Sequence, residues 1–342
     1  MSTRKFFEYK EQFELEAGGC LSELTLAYNT YGEMNADQSN VVWICHALTA
    51  NSDPEEWWPG MVGEGYYFDP KKYFIICVNM LGSCYGSTGP LSTNPSTGAP
   101  YYLDFPMVTI RDMVKAYDLL RVDLGIEKIH TVIGGSCGGH QAIEMAIENQ
   151  SIIENLVLCV SSANETAWSK AVHTSQRMAM ENDPTWGEKN DKAAEEGMKV
   201  ARGIGLLTYR TVDSYIKTQS DEDNAKLDSY KASSYIRYQG DKLADRFNAY
   251  SYWYLSKALD THNVARGRGS LEDVLKSIKI RTLIVSIDSD MLIPVSEQKV
   301  MAQHIPNSTH KIIESGYGHD GFLIEFEKIT KELEEFIICE NA

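Results

Sequence analysis

Apolar residues recur along this chain in two rhythms, and their order predicts the architecture. Near the start, FEYKEQFEL and SELTLAYNTYG alternate apolar and polar positions, the mark of half-covered strands at an antiparallel edge. Five later runs, at 41–45, at 73–78 and in KIHTVIGG, IENLVLCVSSA and IRTLIVSIDSD, centre on apolar stretches, and HKIIES reads as a sixth strand. A strand with no polar side is buried on both faces, as in a parallel sheet covered by helices. Helical rhythm fills the intervals. TIRDMVKAYDLLRVDLG brings Ile110, Met113, Val114, Tyr117 and Leu120 onto one side, with Thr109 as cap and Gly125 as stop. GGHQAIEMAIENQ, SEQKVMAQHI and FEKITKELEEFII supply three more helices. From about 165 to about 270 the strand pattern is missing. AAEEGMKVARGIGLLTYR and DKLADRFNAYSYWYLSKALD each read as helical there, rich in Tyr, Trp and Met. The expected fold is therefore α/β, a mostly parallel sheet flanked by helices. Residues 1–164 and 271–342 form the core, and 165–270 form an inserted helical lid. The loop YGSTGPLSTNPSTGAPYYLDFP is too long for a simple connector, which implies a functional loop or a strap over the core.

Composition narrows the function without choosing it. A chain of 342 residues suits a core of roughly 200–250 residues plus an insertion. The net charge of −16 lacks the basic footprint of a nucleic-acid binder. No apolar run approaches the roughly 18 residues of a membrane span. MSTRKFFEYKEQFELEAGG carries charges where a signal peptide has its apolar stretch, so a cytoplasmic protein away from membranes is expected. The seven cysteines show no CxxC pair and no Cys/His ligand spacing. They read as reduced, mostly buried thiols rather than a disulfide framework or metal site.

Candidate chemistry concentrates in TVIGGSCGGHQAIEMA, a strand, a glycine turn and a helix. A nucleophile on such an elbow needs very small residues two before and two after it. Ser136 has Gly134 and Gly138 in those places, and Cys137 has Gly135 and Gly139, so both registers fit. The elbow raises the α/β-hydrolase fold, in which nucleophile, acid and histidine follow in that order. The order is present. RTLIVSI leads into Asp288-Ser289-Asp290, and HKIIES leads into a glycine-flanked loop holding His319. A hydroxyl needs a base within reach, the base needs a carboxylate to fix its tautomer, and the oxyanion needs N–H donors. Those donors are expected at the residue after the nucleophile and at Leu48 in HALT. The acid is Asp288 or Asp290, the other serving the turn. His46 reads as shaping the oxyanion loop. Arg266 and Arg268 in NVARGRGS read as a solvated loop rather than phosphate partners.

The chain resembles the homoserine O-acetyltransferase family over nearly its whole length. The shared stretches are CHALT, NMLGSCYGSTGP, NPSTGAPYYLDFPMVTIRDMV, IGGSCGG, ARGIGLLTYR, YQGDKLADRFNAYSY, ALDTH, IDSDMLIP and GYGHDGFLIE. The resemblance implies an acyl-CoA-dependent O-acyltransferase of methionine biosynthesis. It acts by double displacement, with acetyl-CoA as co-substrate, no bound cofactor and no metal. It places the nucleophile at Ser136, the acid at Asp290 and the base at His319, which leaves Cys137 as an oxyanion donor beside Leu48. It assigns the substrate carboxylate to Arg202 and the substrate ammonium to Asp320. Both suit an amino acid, since Arg offers a planar fork to a carboxylate. Tyr209, two helical turns past Arg202, either lines the same face or packs in the lid core. Ala50, Cys137 and His140 depart from the usual family residues at the acyl end. Hence L-serine as acceptor and succinyl-CoA as donor stay open, as does a simple esterase. A homodimer through the lid is also implied.

Overall fold

The structure, a computed structural model, describes residues 3–338. Among the described residues there are ten strands. The strands are β1 (Lys5–Tyr9), β2 (Phe13–Glu14), β3 (Cys20–Leu21), β4 (Leu24–Tyr31), β5 (Val41–Cys45), β6 (Phe74–Val78), β7 (Ile129–Gly135), β8 (Ile153–Cys159), β9 (Arg281–Ile287) and β10 (Ser308–Ile313). Eight of them form one sheet in the order β1-β4-β6-β5-β7-β8-β9-β10. β4 runs against both its neighbours, and every pairing from β6 to β10 is parallel. The helices of the core are α1 (Pro54–Trp57), α2 (Ile110–Asp123) and α3 (Cys137–Glu148). After β8 come α4 (Ala167–Glu181), α5 (Glu195–Tyr209), α6 (Val212–Gln219), α7 (Lys231–Ala244) and α8 (Ala249–Asp260). The chain finishes with α9 (Leu271–Ser277), α10 (Val295–His304), α11 (Gly321–Ile324) and α12 (Phe326–Ile338).

The continuous apolar runs are explained by what each face of the sheet meets. Val41, Trp43, Val132, Leu156 and Ile284 enter one core, and Val42, Ile44, Ile133, Val157, Leu283 and Val285 enter the other. Each such side chain, removed fully from water, contributes roughly 1.5–3 kcal/mol. α2 opens where expected, with Thr109 and Asp112 closing a reciprocal capping box.

Three expectations need correction. FEYKEQFEL is two strands, because exposed Lys10–Gln12 interrupt it and β2 turns back on β3 as a separate hairpin. DKLADRFNAYSYWYLSKALD is not one helix. α7 ends at Ala244, and the Asn248 side chain accepts from the Ser251 N–H to start α8. Arg266 and Arg268 are not solvated. Arg266 pairs with Glu16 at 2.7 Å, and Arg268 pairs with Glu144 at 2.7 Å and with Glu148. Among the described residues no helix is long and apolar enough to cross a membrane.

Candidate active site

Parallel strands present their carboxyl ends to one edge of the sheet, where α/β folds hold their ligands. β7 delivers Ser136, the loop after β9 delivers Asp290, and the loop after β10 delivers His319. Ser136 sits between strand and helix with φ +55° and ψ −125°, a conformation that L-residues rarely adopt. The chain makes so sharp an elbow because glycines let backbones touch. A Cβ on Gly134 would lie 2.1 Å from the Gly138 carbonyl oxygen, and one on Gly138 would lie 2.1 Å from that of Cys45.

His319 joins the three groups. Its Nε2 stands 2.8 Å from Ser136 Oγ and its Nδ1 stands 2.7 Å from Asp290 Oδ2. The other Asp290 oxygen accepts the N–H groups of Leu292 and Ile293 at 2.8 and 3.0 Å. Burial alone would lower the proton affinity of His319, but the charge and hydrogen bond of Asp290 outweigh it and hold the imidazole above its ordinary range. Asp288 is elsewhere. Its side chain accepts the Ser315 N–H at 2.9 Å and so ties the two catalytic-edge loops together.

The amide N–H groups of Leu48 and Cys137 adjoin the same cavity, and neither has a protein acceptor among the described residues. His46 shapes their loop as expected. Its Nε2 accepts the Met80 N–H at 3.2 Å, which puts the ring proton on Nδ1, 2.8 Å from the Ala47 carbonyl oxygen. Burial lowers the pKa of His46 to about 4, so the ring is neutral. Cys137 is buried with its sulfur 3.6 Å from Met80 Sδ, and burial pushes its thiol up to about 12.

A cavity of about 560 Å³ opens over Ser136 and His319 and is roofed by the helical segment. Arg202, Tyr209 and Asp320 all line it, as do Ala50, Cys137 and His140. The buried Nε of Arg202 has no hydrogen-bond acceptor, and its guanidinium carbon lies 5.8 Å from the Tyr209 ring centre. The Tyr209 ring in turn stands 5.9 Å from that of His319. Asp320 is held by a partner that sequence reading missed: Arg210 Nε donates to its Oδ2 at 3.0 Å. A second omission is a polar lobe behind the elbow. His140 stacks on His262 at 4.0 Å, with its Nδ1 3.7 Å from Glu165 Oε1, and the second Glu165 oxygen is buried without a partner. Burial raises the Glu165 carboxyl and depresses both imidazoles, so the lobe favours neutral forms. Nothing in the local pattern of Glu165 marks it, and His140 stands out only as a departure from the family's usual residue, because the lobe is assembled from α3, the β8–α4 loop and the residues just after α8. Among the described residues no cluster of three or more His, Cys, Asp or Glu has the arrangement of a metal site.

Known proteins resemble this chain in sequence and in overall fold. The α/β hydrolase fold family matches residues 40–326. A homoserine O-acetyltransferase of Cyclobacterium marinum is 46% identical over 340 residues, 99% of this chain and 97% of its own. Among solved structures, homoserine O-acetyltransferase from Bacillus anthracis aligns with a TM-score of 0.90 at 25% identity, covering 98% of this chain and 97% of that one. An acetylester hydrolase from Corynebacterium glutamicum aligns with a TM-score of 0.87 at 25% identity, covering 98% and 95%.

Proposed function

This chain belongs to the homoserine O-acetyltransferase family of the α/β-hydrolase fold, and on that premise we propose that it transfers an acetyl group from acetyl-CoA to the hydroxyl of L-homoserine, a step of methionine biosynthesis. The observation that carries the acceptor reading is Arg202, a cation in the cavity of Ser136 and His319 without a carboxylate partner among the described residues. An esterase that uses water has no need of it. An α-amino acid brings the missing carboxylate, and Asp320, oriented by Arg210, faces the ammonium.

The chemistry runs in two displacements. Ser136 Oγ attacks the thioester carbonyl while His319 Nε2 takes its proton. The oxyanion meets the N–H groups of Cys137 and Leu48. The tetrahedral adduct collapses, His319 gives its proton to the departing sulfur, and CoA leaves an acetyl ester on Ser136. The homoserine hydroxyl then loses its proton to His319 and attacks that ester, and Ser136 recovers its proton as O-acetyl-L-homoserine departs. Asp290 stabilises the imidazolium formed in each half. No cofactor enters either step.

A matrix of acetyl-CoA and succinyl-CoA against L-homoserine and L-serine, read by CoA release and product mass, tests the assignment. Parallel initial-rate lines and a product heavier than homoserine by one acetyl group are expected. Intersecting lines would exclude the double displacement. The second reading, a hydrolase, draws on the likeness to the acetylester hydrolase and wins if neither amino acid speeds CoA release beyond the rate in water. We further infer that residues 165–270 act as a lid and join two copies in the cytoplasm. Exposed Trp168, Val200, Leu207, Val212, Ile216 and Leu227 give this segment an apolar surface suited to a second copy. A monomer mass by light scattering would exclude the dimer.

A further inference from the structure

We propose that Arg4, Lys242 and Arg246, gathered at the rim of the catalytic cavity, bind the phosphate groups of the acyl-CoA donor. The inference rests on the acyl-CoA-dependent reading above and adds to it the site where the nucleotide is held.

The three side chains come from two distant parts of the chain. Arg4 precedes β1, whose Phe6 ring approaches so near Gly86 that a Cβ there would lie 3.1 Å from it. Arg4 is thereby set beside the Cys84–Tyr85 loop. Lys242 occupies the last turn of α7, and Arg246 follows one helical turn later. Arg246 Nη1 donates to Tyr85 Oη at 2.7 Å and to the Thr49 carbonyl oxygen. Thr49 adjoins Leu48, so Arg246 links the helical roof to the oxyanion loop. All three cations are exposed, and all three line the cavity that also holds Ser136.

Their position sets them apart, since all three stand at the one opening above Ser136. The chain carries 48 Asp and Glu against 32 Lys and Arg. Most buried or half-buried cations answer a carboxylate: Arg111 with Glu16 and Glu144, Arg177 with Asp260, Arg210 with Asp320. Arg4, Lys242 and Arg246 have no carboxylate partner among the described residues. A carboxylate on this rim, Glu56, accepts from Asn51 Nδ2 at 2.9 Å and keeps its charge, so the three cations outnumber it. In an acidic protein, three unpaired cations around one opening form a local positive field that draws an anion toward it.

The substrate supplies the matching shape. An acyl-CoA has its reactive carbonyl at one end of a thin, uncharged arm and its nucleotide at the other, with roughly four negative charges near neutral pH, given a second phosphate pKa near 6. The carbonyl must reach Ser136 at the floor. The arm then occupies the cavity of about 560 Å³, and the phosphates emerge where the three cations stand. Half-buried Trp57 and Tyr85 on the same rim offer flat apolar faces to the adenine. Arg provides a fork and Lys a point charge, and both serve phosphate oxygens.

The test compares acetyl-CoA with S-acetyl-pantetheine, which has the same thioester and arm but no nucleotide. Both are assayed with L-homoserine in the wild type, in the double variant Arg4→Glu with Lys242→Glu, and in Lys242→Arg. Arg246 is left intact because it holds the oxyanion loop. The quantity read is the kcat/KM for acetyl-CoA divided by that for S-acetyl-pantetheine. At about tenfold per lost charge-assisted phosphate contact, the double variant lowers this ratio about a hundredfold, chiefly through the KM for acetyl-CoA. Lys242→Arg keeps it near the wild-type value. A variant that is merely damaged loses both activities together and leaves the ratio where it was. A ratio within about threefold of wild type in the double variant, small beside the hundredfold expected from two contacts, overturns the phosphate site while leaving the acyltransfer reading intact. A wild type that turns over neither acetyl-CoA nor succinyl-CoA overturns that reading and this site with it.

Discussion

Asp290→Asn removes one charge and almost no volume, and the structure dictates which way the new amide faces. Asp290 Oδ1 accepts two backbone N–H groups, from Leu292 at 2.8 Å and Ile293 at 3.0 Å. Turning the amide would set an NH2 against both donors and forfeit two buried hydrogen bonds, at about 1–3 kcal/mol each. The amide oxygen therefore stays there, and the NH2 takes the place of Oδ2, 2.7 Å from His319 Nδ1. Nδ1 must then accept, so the ring proton moves to Nε2, the nitrogen 2.8 Å from Ser136 Oγ. A nitrogen that already carries a proton cannot take another from serine. The charge that stabilised the imidazolium is lost as well, and burial, which lowers the proton affinity of His319, then acts without its main counterweight. In a serine protease the same exchange lowers kcat about 10⁴-fold, equivalent to about 5.4 kcal/mol of barrier. A similar loss in acetyl-CoA turnover is expected here, with a slowed burst of acetylated enzyme by intact mass. The wild-type acid limb of kcat/KM lies above the ordinary histidine value of 6.5, since Nε2 must be unprotonated and Asp290 holds its proton affinity up. In the variant that limb moves to lower pH. Turnover within about tenfold of wild type, which is under 1.4 kcal/mol of barrier, in a protein of unchanged circular dichroism would refute the orienting role of Asp290.

Three further outcomes follow from the same geometry. Ser136→Ala should abolish acetylation of the protein, whereas Cys137→Ala should keep most of it and lose about 1–2 kcal/mol of stability from the vacated core volume, measurable by urea denaturation; the opposite pattern would make this a thiol enzyme. Arg202→Ala should raise the KM for L-homoserine about tenfold or more through loss of a charged hydrogen bond, with the homoserine-independent release of CoA little changed, and an unaltered KM would remove Arg202 from the acceptor site. Acid should unfold the protein early: burial lowers His46 to about 4 and His262 to about 3 from 6.5, so the unfolded chain binds these protons first and stability falls as pH drops below 6.5. By pH 5 each imidazole withdraws about 2 kcal/mol, at about 1.4 kcal/mol per pH unit, only partly offset by His319, whose raised affinity acts in the opposite direction; equal denaturation midpoints at pH 7.5 and 5 would contradict this.

What the sequence revealed depended on whether the decisive neighbours were near in the chain. Strands β5 to β9 were legible because both faces meet apolar cores, so their residue types follow from burial alone. The helix α4 was not singled out because AWSKAVHTSQRMAME looks solvated, yet His173, Gln176 and Arg177 are buried. Asp260, on another helix, answers both His173 and Arg177. A polar interior of this kind imitates a surface in any reading that sees one segment at a time. The same reason hid the partners of Arg266 and Arg268, since Glu16 and Glu144 are remote in sequence. The proposed triad could be read despite this limit because strand order fixes where Ser136, Asp290 and His319 fall, and the structure brings the three within hydrogen-bond distance.

The elbow shows where spacing stops and backbone geometry takes over. Both glycine registers fitted GGSCGG because all four glycines are required, each by a different close approach. Beyond the Gly134–Gly138–Cys45 contacts, a Cβ on Gly135 would strike the Phe322 ring at 2.4 Å and one on Gly139 would strike Ser161 at 2.4 Å. The glycines therefore report packing around the turn and say nothing about which residue reacts. The backbone supports Ser136 as the proposed nucleophile. The positive φ belongs to Ser136, and it turns that hydroxyl into the cavity toward His319, while Cys137 is already in the helix with its sulfur against Met80. A thiol attacks as the thiolate, and a pKa pushed up to about 12 leaves only about one molecule in 10⁵ ionised at neutral pH. Even an intrinsically strong nucleophile is silenced by that fraction and by its burial. The part we propose for Cys137 is its amide, whose N–H has no acceptor among the described residues and follows directly on the strained Ser136.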